Sequence, residues 1–503
     1  IATTGTISET GTLVAGTLSG SSAGTTSLTG ATSTTNQIAD LGTFTAQGFT
    51  LDDGIGLTVS GVLNGGPSAT VLDAGTLTIG NTVTAAAIAL TGGNIAIPGL
   101  VTDGGAGTTS LIATTGTISE TGTLIAGTLS GSSAGTTSLS GATSTTNQIA
   151  SLGTFTAQGF TLADGIGLTV SGAVNGGPSA TVLDAGTLTV ASGGSVTASA
   201  VSLTANDIAI AGLVSDGGGT TSLIATTGTI SENGTLVAGL LTGSAAGDAS
   251  LTGSSAASNR VTQLGGFSSG GTFSLRDGAD LTVTGPLTAP TIVIDVGANR
   301  ITLADRAVIT TGGIQRPFGT IANSAFPDGR IPLPRPSTQG AYLTTGGGFT
   351  QQGSSTIQGL GGGSNILRIN ALGSANIAFD PFTGLQGPNT WLILQIGTGR
   401  ATGQVHVRNL DVISQGGLAG ATDLTGSVTG LTGPAAAGAA GIVPNPNSNF
   451  RFNQCAIQSV SCILLPGEAV PTANPLNDIN IGTLFNPNED EDLLLPIVSD
   501  QDY

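Results

Sequence analysis

The 503-residue sequence contains no lysine and no methionine, and it has one histidine, one tryptophan and two cysteines. Charged residues make up 8% of the chain and aromatic residues 3%. Side chains large enough to fill several thick globular cores are therefore too scarce. Metal sites built from histidine and cysteine also lack their ligands. Because there is no run of about 18 apolar residues, we expect no membrane-spanning helix.

Negative charge dominates the sequence, with a formal net charge of −18 at pH 7. All eleven cations are arginines and the first is Arg260, so residues 1–259 combine thirteen carboxylates with no cation. Nucleic-acid binding depends on Lys and Arg side chains that neutralise phosphates, and we therefore expect no nucleic-acid partner. We expect no cofactor, and at most weak, diffuse binding of Ca²⁺ by the uncompensated carboxylates.

Small and apolar residues are abundant: the chain has 83 glycines, and 38% of its residues are hydrophobic. This combination argues against disorder, which requires low hydrophobicity and high charge. Internal repetition is the most informative feature. The string IATTGTISETGTL at Ile1 returns almost unchanged at Ile112 and with more drift at Ile224. Residues 1–78 and 112–189 are identical at 72 of 78 aligned positions.

Each copy divides into about five units of about 22 residues, a length set by three short strands and three turns. Strings such as GLTVSG and GTLTIG alternate apolar and polar residues between Gly, Asn, Asp or Pro. Alternation predicts strands with one buried face, and the bounding residues predict turns. Strands this short need neighbours above and below, so we predict an all-β chain folded as a parallel β-solenoid. A β-propeller is the main alternative, but its longer blades and signature aromatic residues are missing.

Composition divides the chain into four segments. Residues 1–312 form the repetitive solenoid, with copies starting at 1, 112 and 224. Residues 313–340 are rich in Pro and Arg and are predicted to leave the solenoid, because proline cannot donate to a β-ladder. Residues 341–430 resume as a divergent solenoid, and residues 431–503 form a C-terminal cap and acidic tail.

Candidate catalytic groups are sparse, which predicts a non-enzymatic protein. Equivalent acids such as Glu9, Glu120 and Glu232 lie about five coils apart, so we interpret them as turn residues that cannot act together. The string GSSAG at residues 20–24 matches a nucleophile elbow, but the third copy has Ala245 in place of the serine. The single histidine, His406, lies far along the chain. A carbohydrate-active β-helix, such as a polysaccharide lyase or hydrolase, is the alternative, with its carboxylates within residues 260–411.

The repeats containing TGTISETGTL and GTLTI, and the endings NPNSNFRFNQCAIQSVSCILLP and DEDLLLPIVSDQDY, suggest a family. They resemble the C-terminal portion of filamentous-haemagglutinin-like exoproteins of Gram-negative bacteria, especially those of alphaproteobacteria. The resemblance implies a right-handed parallel β-helix exported by a two-partner outer-membrane transporter. It also implies an extracellular or cell-surface location, a structural role in adhesion, biofilm matrix or filament formation, and surface carbohydrate as a candidate receptor.

Two further expectations concern the C-terminal segment and the first coil. Cys455 and Cys462, the only cysteines, form a close pair that predicts a disulfide, with two free thiols as the alternative. Ile1 opens inside a repeat coil whose strand edges need a partner, either upstream repeats of the same polypeptide or a second copy stacked head to tail. The candidate assembly contacts are Ile1 and the apolar tail residues Leu484, Phe485, Leu493, Leu494, Leu495, Ile497 and Val498.

Overall fold

The computed structural model describes residues 1–312, 339–414, 422–428, 450–455 and 462–463. Within these residues the regular structure is β-strand, apart from one 3-10 turn at Leu360–Gly362. The predicted parallel β-solenoid is confirmed, with about 18 turns and a coil spacing of about 21 residues, where the sequence predicted 22. The predicted Pro- and Arg-rich excursion, except its last two residues, and most of the predicted cap and tail lie outside the described residues.

The chain divides into two compact units, residues 1–281 and 282–503. The strands of the first unit are β1 (Ile7–Glu9), β2 (Val14–Ser21), β3 (Thr26–Leu28), β4 (Gln37–Thr45), β5 (Phe49–Asp53), β6 (Thr58–Val59), β7 (Leu63–Asp73), β8 (Thr76–Ile79), β9 (Thr82–Gly92), β10 (Asn94–Ile97), β11 (Leu100–Thr102), β12 (Thr108–Ala113), β13 (Ile118–Glu120), β14 (Thr123–Ser133), β15 (Thr137–Leu139), β16 (Gln148–Thr156), β17 (Phe160–Asp164), β18 (Thr169–Val170), β19 (Ala173–Asn175), β20 (Ser179–Asp184), β21 (Thr187–Val190), β22 (Ser195–Thr197), β23 (Ala200–Ala205), β24 (Asp207–Ile210), β25 (Leu213–Ser215), β26 (Thr220–Ala225), β27 (Ile230–Glu232), β28 (Thr235–Ala245), β29 (Ala249–Leu251), β30 (Arg260–Ser269) and β31 (Thr272–Arg276).

Three strands joined by turns make one coil of the first unit, as β20, β21 and β22 do. The chain then returns to the first side of the coil, where β23 pairs in parallel with β20 and Val201 lies beside Ala180. In the same way β24 pairs with β21, and β25 pairs with β22. Every second side chain points into the coil and is buried, as Val182 and Leu188 are. This geometry explains the alternating pattern of the sequence.

The repeat of about 111 residues does not contain a whole number of coils. The ladder that starts at Ile7 reaches Thr109 after five coil-to-coil steps. Ile118, the counterpart of Ile7, lies in the following strand and so on the next side of the solenoid. The same offset separates Ile118 from Ile230. Each copy is therefore five coils and one side long, and equivalent residues of the three copies lie on three different sides.

The core of the first unit is narrow and is filled mainly by Leu, Ile, Val and Ala. Each repeat copy adds one pair of buried phenylalanine rings that pack at a tilt. The ring centroids of Phe155 and Phe160 are 5.1 Å apart. The equivalent pairs are Phe44 with Phe49 at 5.0 Å and Phe267 with Phe273 at 4.9 Å. Tilted contacts of this kind stabilise aromatic pairs beyond the area that they bury.

The second unit continues with parallel ladders. Strand β32 (Leu281–Val283) begins at the last residue of the first unit. The other strands are β33 (Pro286–Ala289), β34 (Thr291–Asp295), β35 (Arg300–Leu303), β36 (Val308–Thr311), β37 (Gly340–Thr345), β38 (Gly348–Gln351), β39 (Thr356–Gly359), β40 (Asn365–Ala371), β41 (Ile377–Ala378), β42 (Leu385–Ile396), β43 (Ala401–Ser414), β44 (Thr422–Val428), β45 (Phe450–Cys455) and β46 (Cys462–Ile463).

Burial distinguishes the second unit from the first. All residues of β37 and β40 are buried, including the polar ones that alternate with the apolar core positions. In β20 of the first unit, by contrast, the outward positions are exposed or half-buried. The strand order β34, β37, β40 and β42 is parallel throughout, so these strands form one continuous side.

Candidate functional site

The acidic residues of the first unit are mostly internal. Of the thirteen carboxylates in residues 1–259, eight are buried. The expectation of diffuse Ca²⁺ binding depended on thirteen uncompensated carboxylates facing solvent, and the structure leaves few of them there. The buried ones are Asp53, Asp73, Asp103, Glu120, Asp164, Asp184, Asp216 and Glu232.

Each repeat copy builds the same cluster of a glutamate, an asparagine and an aspartate, which we call the polar bracket. Its members are buried, except for the half-buried Glu9 of the first copy. In the second copy, Asn147 donates from Nδ2 to Oε2 of Glu120 at 2.8 Å. Oδ1 of Asn147 accepts from the backbone N–H of Leu124 at 2.8 Å, and Oδ1 of Asp164 accepts from that of Ile149 at 2.7 Å. The bracket thus connects successive coils. The corresponding sets are Glu9, Asn36 and Asp53 in the first copy and Glu232, Asn259 and Asp277 in the third.

Burial also changes the acidity of the bracket aspartates. It raises the pKa of Asp164 and the pKa of Asp277 to about 7 in each case. Backbone N–H donors, such as those of Ile149 and Ile166 around Asp164, oppose this effect because they favour the ionised form. Desolvation is the larger influence at both residues. The same cause raises the pKa of Glu232.

A second type of buried acid organises the loops where the copies differ in length. Oδ1 of Asp103 accepts from the backbone N–H of Gly105 at 2.9 Å and from that of Gly127, in the next coil, at 3.0 Å. Its Oδ2 accepts from the hydroxyl of Thr109 at 3.0 Å. Asp216 repeats this arrangement in the second copy with Gly218 and Gly239. The sequence interpretation of the acids as turn residues agrees with this geometry, although it missed their burial.

Hydroxyl groups line the outward side of the same coils. Seven ladder neighbours in β13, β15, β17, β20, β23, β26 and β28 are all serine or threonine, and we call them the hydroxyl row. Each member is exposed or half-buried, and strand pairing spaces them about 4.8 Å apart. Charge is absent from this row. Its members are Ser119, Ser138, Thr161, Thr181, Ser202, Ser222 and Thr242.

The serines of the elbow-like strings form hydrogen bonds within their own turns, and the single histidine lies within a strand. The hydroxyl of Ser22, in the elbow-like string, donates to the carbonyl of Gly24 at 2.7 Å and lies 2.8 Å from the hydroxyl of Thr26. Ser133 makes the same contacts in the second copy. His406 lies in β43, with Gln386 beside it in the ladder. Among the described residues, no three His, Cys, Asp or Glu side chains are grouped so that they could hold a metal ion.

The predicted assembly and disulfide residues are only partly within the described chain. Ile1 is 90% exposed, and the adjacent Ala2 forms a bridge with Ser22 of the next coil. Strands β45 and β46 are antiparallel, and their register places Cys455 directly opposite Cys462. The tail contacts Leu484, Phe485, Leu493, Leu494, Leu495, Ile497 and Val498 lie outside the described residues.

We expect Cys455 and Cys462 to be joined by a disulfide when the protein is kept under oxidising conditions. Opposed residues of an antiparallel pair have Cα atoms about 4.5–5.5 Å apart, which falls within the range that a disulfide spans. The bond would close an eight-residue loop and contribute about 2.5 kcal/mol in the chain-entropy model. Mass mapping without reductant should recover one linked peptide, and reduction should separate it. Two free thiols in protein prepared under oxidising conditions would contradict the prediction.

No known protein family, curated protein or solved structure matches this chain. The coils themselves define its class, which is that of the β-solenoid repeat proteins. No helix in the described part of the chain is long and apolar enough to cross a membrane. The resemblance to filamentous-haemagglutinin-like exoproteins therefore stays a prediction.

Sequence reasoning did not single out the bracket asparagines. A signal was present, because TNQIA at residues 35–39 and 146–150 becomes SNRVT at 258–262 and only the asparagine persists in all three. Arg368 was also missed. It lies in the alternating string NILRINA, where it looked like an ordinary outward residue, but the structure buries it to 5% exposure.

Proposed function

We propose that the chain is a structural, non-enzymatic rod of an extracellular or cell-surface protein, acting in adhesion, biofilm matrix or filament formation. The observation that supports this most is the outer surface of residues 1–259, which repeats from coil to coil and carries little charge. Eight of the thirteen carboxylates that could have supplied chemistry are buried, and several accept hydrogen bonds that hold neighbouring coils together. What remains outside is a lattice of hydroxyl groups.

Such a lattice suits weak contacts made many times over. Each hydroxyl can donate and accept a hydrogen bond, and a partner with the same spacing would engage several of them at once. Linked weak contacts give high overall avidity without any single strong site. A neutral, hydroxyl-bearing partner, such as surface carbohydrate or a second copy of the chain, fits this surface best. Export by a two-partner transporter of a Gram-negative bacterium is part of the same proposal and depends on the family resemblance.

The hydroxyl row provides one test of this function. Replacing Thr161 and Thr181 by Val and Ser202 by Ala removes three neighbouring hydroxyls from the outward side with little change in volume. We expect adhesion of bacteria that display the protein to fall at least about tenfold, as expected for the loss of several linked contacts. Replacing Thr226, which donates to the carbonyl of Ala205 outside the row, by Val is the control. Unchanged adhesion of the triple variant, at unchanged surface level, would count against the proposal.

Filament formation provides a second test. The apolar strings at 484–485 and 493–498 are proposed to add to the first coil of the next molecule as an extra strand. Such a head-to-tail contact is heterologous and generates open filaments. Electron microscopy of the purified chain should show filaments, and deletion of residues 484–503 should leave single particles. The control is Asp500→Asn with Asp502→Asn, which keeps the apolar strings. Filaments that persist after the deletion would exclude the tail as the connecting element.

A further inference from the structure

One aromatic ring of the second unit faces solvent. Phe382 is 86% exposed, whereas the other aromatic side chains whose burial is described lie in the interior. The most exposed of those others, Trp391, is 8% exposed. Single apolar residues are common on protein surfaces, so exposure alone does not define a site. The groups that surround Phe382 are what distinguish it.

The turn that carries Phe382 is held by hydrogen bonds to a single carboxylate. Oδ1 of Asp380 accepts from the backbone N–H of Phe382 at 2.9 Å and from that of Thr383 at 2.8 Å. Oδ2 of Asp380 accepts from the backbone N–H of Gly353, in the preceding coil, at 3.2 Å. Pro381 restricts the backbone of the same turn further. The backbone beneath the ring is therefore ordered before any ligand arrives, which lowers the entropy cost of binding.

Two glutamine amides are bonded to the residues on either side of Phe382. Nε2 of Gln386, in β42, donates to the carbonyl oxygen of Thr383 at 2.6 Å. Nε2 of Gln404, in β43 and so in the next coil, donates to the carbonyl oxygen of Pro381 at 2.7 Å. Both contacts are exposed to water. Because a primary amide has a second N–H and an acceptor oxygen, each glutamine can also bond a ligand while it holds the turn.

The surroundings of the ring exclude two kinds of partner. Leu360 and Leu372, each 45% exposed, lie in the turns before and after β40, whereas Phe382 lies in the turn after β41. They do not extend the apolar surface at Phe382, so the apolar centre of a protein interface is missing. Residues 379–386 include no cation that could neutralise a phosphate, which disfavours a nucleotide.

A pyranose ring has the shape and the polar groups that this turn can bind. One of its faces presents C–H groups, which can lie flat on an aromatic ring and bury apolar area. Its rim carries hydroxyl groups, and each can donate to an amide oxygen or accept from an amide N–H. The formal net charge of −18 disfavours an anionic polysaccharide, so a neutral one fits best.

We propose that Phe382, Gln386 and Gln404 form a binding site for a neutral saccharide, with Phe382 as the platform on which one pyranose ring stacks. Asp380 is a positioning residue, because it holds the backbone of the turn. The site belongs to the second unit and is separate from the hydroxyl row of the first. Its use in adhesion rests on the proposed function of the chain, whereas binding itself does not.

Calorimetric titration of the full chain with cellohexaose, a neutral oligosaccharide of flat pyranose rings, tests the site. We expect binding with a Kd in the millimolar range, and Phe382→Ala should weaken it at least about tenfold. Phe382→Trp keeps a stacking surface and should retain binding. Leu372→Ala is the matched control, because it removes an exposed apolar side chain from another turn of the same coil and should leave the Kd unchanged.

Saturation-transfer NMR reports the stacking contact directly. Irradiation of aromatic protons of the chain should transfer magnetisation to C–H protons of cellohexaose, and Phe382→Ala should abolish this transfer. Gln386→Ala with Gln404→Ala should weaken binding about threefold to tenfold, as expected for the loss of hydrogen bonds to neutral groups. Since Phe382 is exposed, its replacement by Ala should change Tm by less than about 2 °C, which shows that the variant is folded.

Several results would overturn the proposal. These are absence of cellohexaose binding, equal binding by the native chain and Phe382→Ala, and equally tight binding of dextran sulfate, which would indicate unspecific association. If Phe382→Ala changed the sedimentation coefficient of the chain and not its saccharide binding, the ring would be a contact between copies instead. Unchanged adhesion of the hydroxyl-row variant would contradict the proposed rod function but not this site, because calorimetry detects binding without adhesion.

Discussion

Replacing Asn147 by Leu is expected to lower the free energy of unfolding by about 4 kcal/mol. The side chain is fully buried, and its amide group forms hydrogen bonds with residues of three strands. Leucine has a similar volume, but it leaves the backbone N–H of Leu124 without its partner, and Oε2 of Glu120 keeps only the hydrogen bond from the backbone N–H of Gly141. Each buried polar group that loses its partner costs about 1–3 kcal/mol, and a charged group costs more. Asn147 also donates to the carbonyl of Ala163 at 3.2 Å, and this bond is lost too.

Asn175 offers a matched control within the same repeat copy. Its Oδ1 accepts from the backbone N–H of Gly177 at 3.0 Å, but this contact is exposed to water. Asn175→Leu should therefore cost less than about 1 kcal/mol. Urea denaturation compares the two variants, and hydrogen exchange at the amide of Leu124 reports the local loss. Equal stability of the two variants would show that the polar bracket does not hold the coils together.

The repetitive half of the fold was predictable because the sequence states the same pattern several times. Alternating strings and turn residues recur in three copies, so an error in one copy is corrected by another. The number of residues in each coil was harder to predict, because turns of different length look alike in a Gly- and Thr-rich sequence. The offset of Ile118 by one side from Ile7 follows from the ladder register. Register depends on pairing between coils, which a single strand does not encode.

The candidate site was harder to predict because its hydrogen bonds and pKa values depend on which acidic side chains are buried. Asp164 stands before a glycine, and Asp-Gly predicts a turn whether the carboxylate faces water or the core. Thirteen carboxylates without a cation suggested a repulsive surface, but composition does not show which acids accept backbone hydrogen bonds. Arg368 shows the same limit. Its place in an alternating string predicts an outward side chain, but alternation does not show whether the outward side is exposed, and Arg368 is buried.

The pH dependence of stability should be opposite to that of a typical acid-sensitive protein between pH 5 and pH 8. Burial raises the pKa of Asp164 and of Asp277 to about 7, whereas an aspartate in an unfolded chain has a pKa near 3.9. Between these values the folded state binds more protons than the unfolded state. Stability therefore decreases as the pH rises through 7. We expect the free energy of unfolding to be about 3 kcal/mol lower at pH 8 than at pH 5, a value kept well below the full linkage energy because backbone N–H donors favour the ionised form.

At acid pH, Asp380 has the opposite effect on stability. Backbone N–H groups of Thr383 and Phe382 lower the pKa of Asp380 to about 2, so its contribution is lost as the pH falls toward 2. Stability should consequently pass through a maximum near pH 4–5. Thermal unfolding at intervals from pH 3 to pH 9 measures the profile. Asp164→Asn removes one of the two aspartates whose pKa is about 7 and, although it lowers stability overall, should reduce the fall between pH 5 and pH 8. The reduction should be less than half, because burial also raises the pKa of Asp53, Asp73, Asp184 and Glu232. A profile that rises from pH 5 to pH 8, or one that Asp164→Asn leaves unchanged, would mean that the bracket aspartates are ionised throughout and that the backbone donors outweigh desolvation.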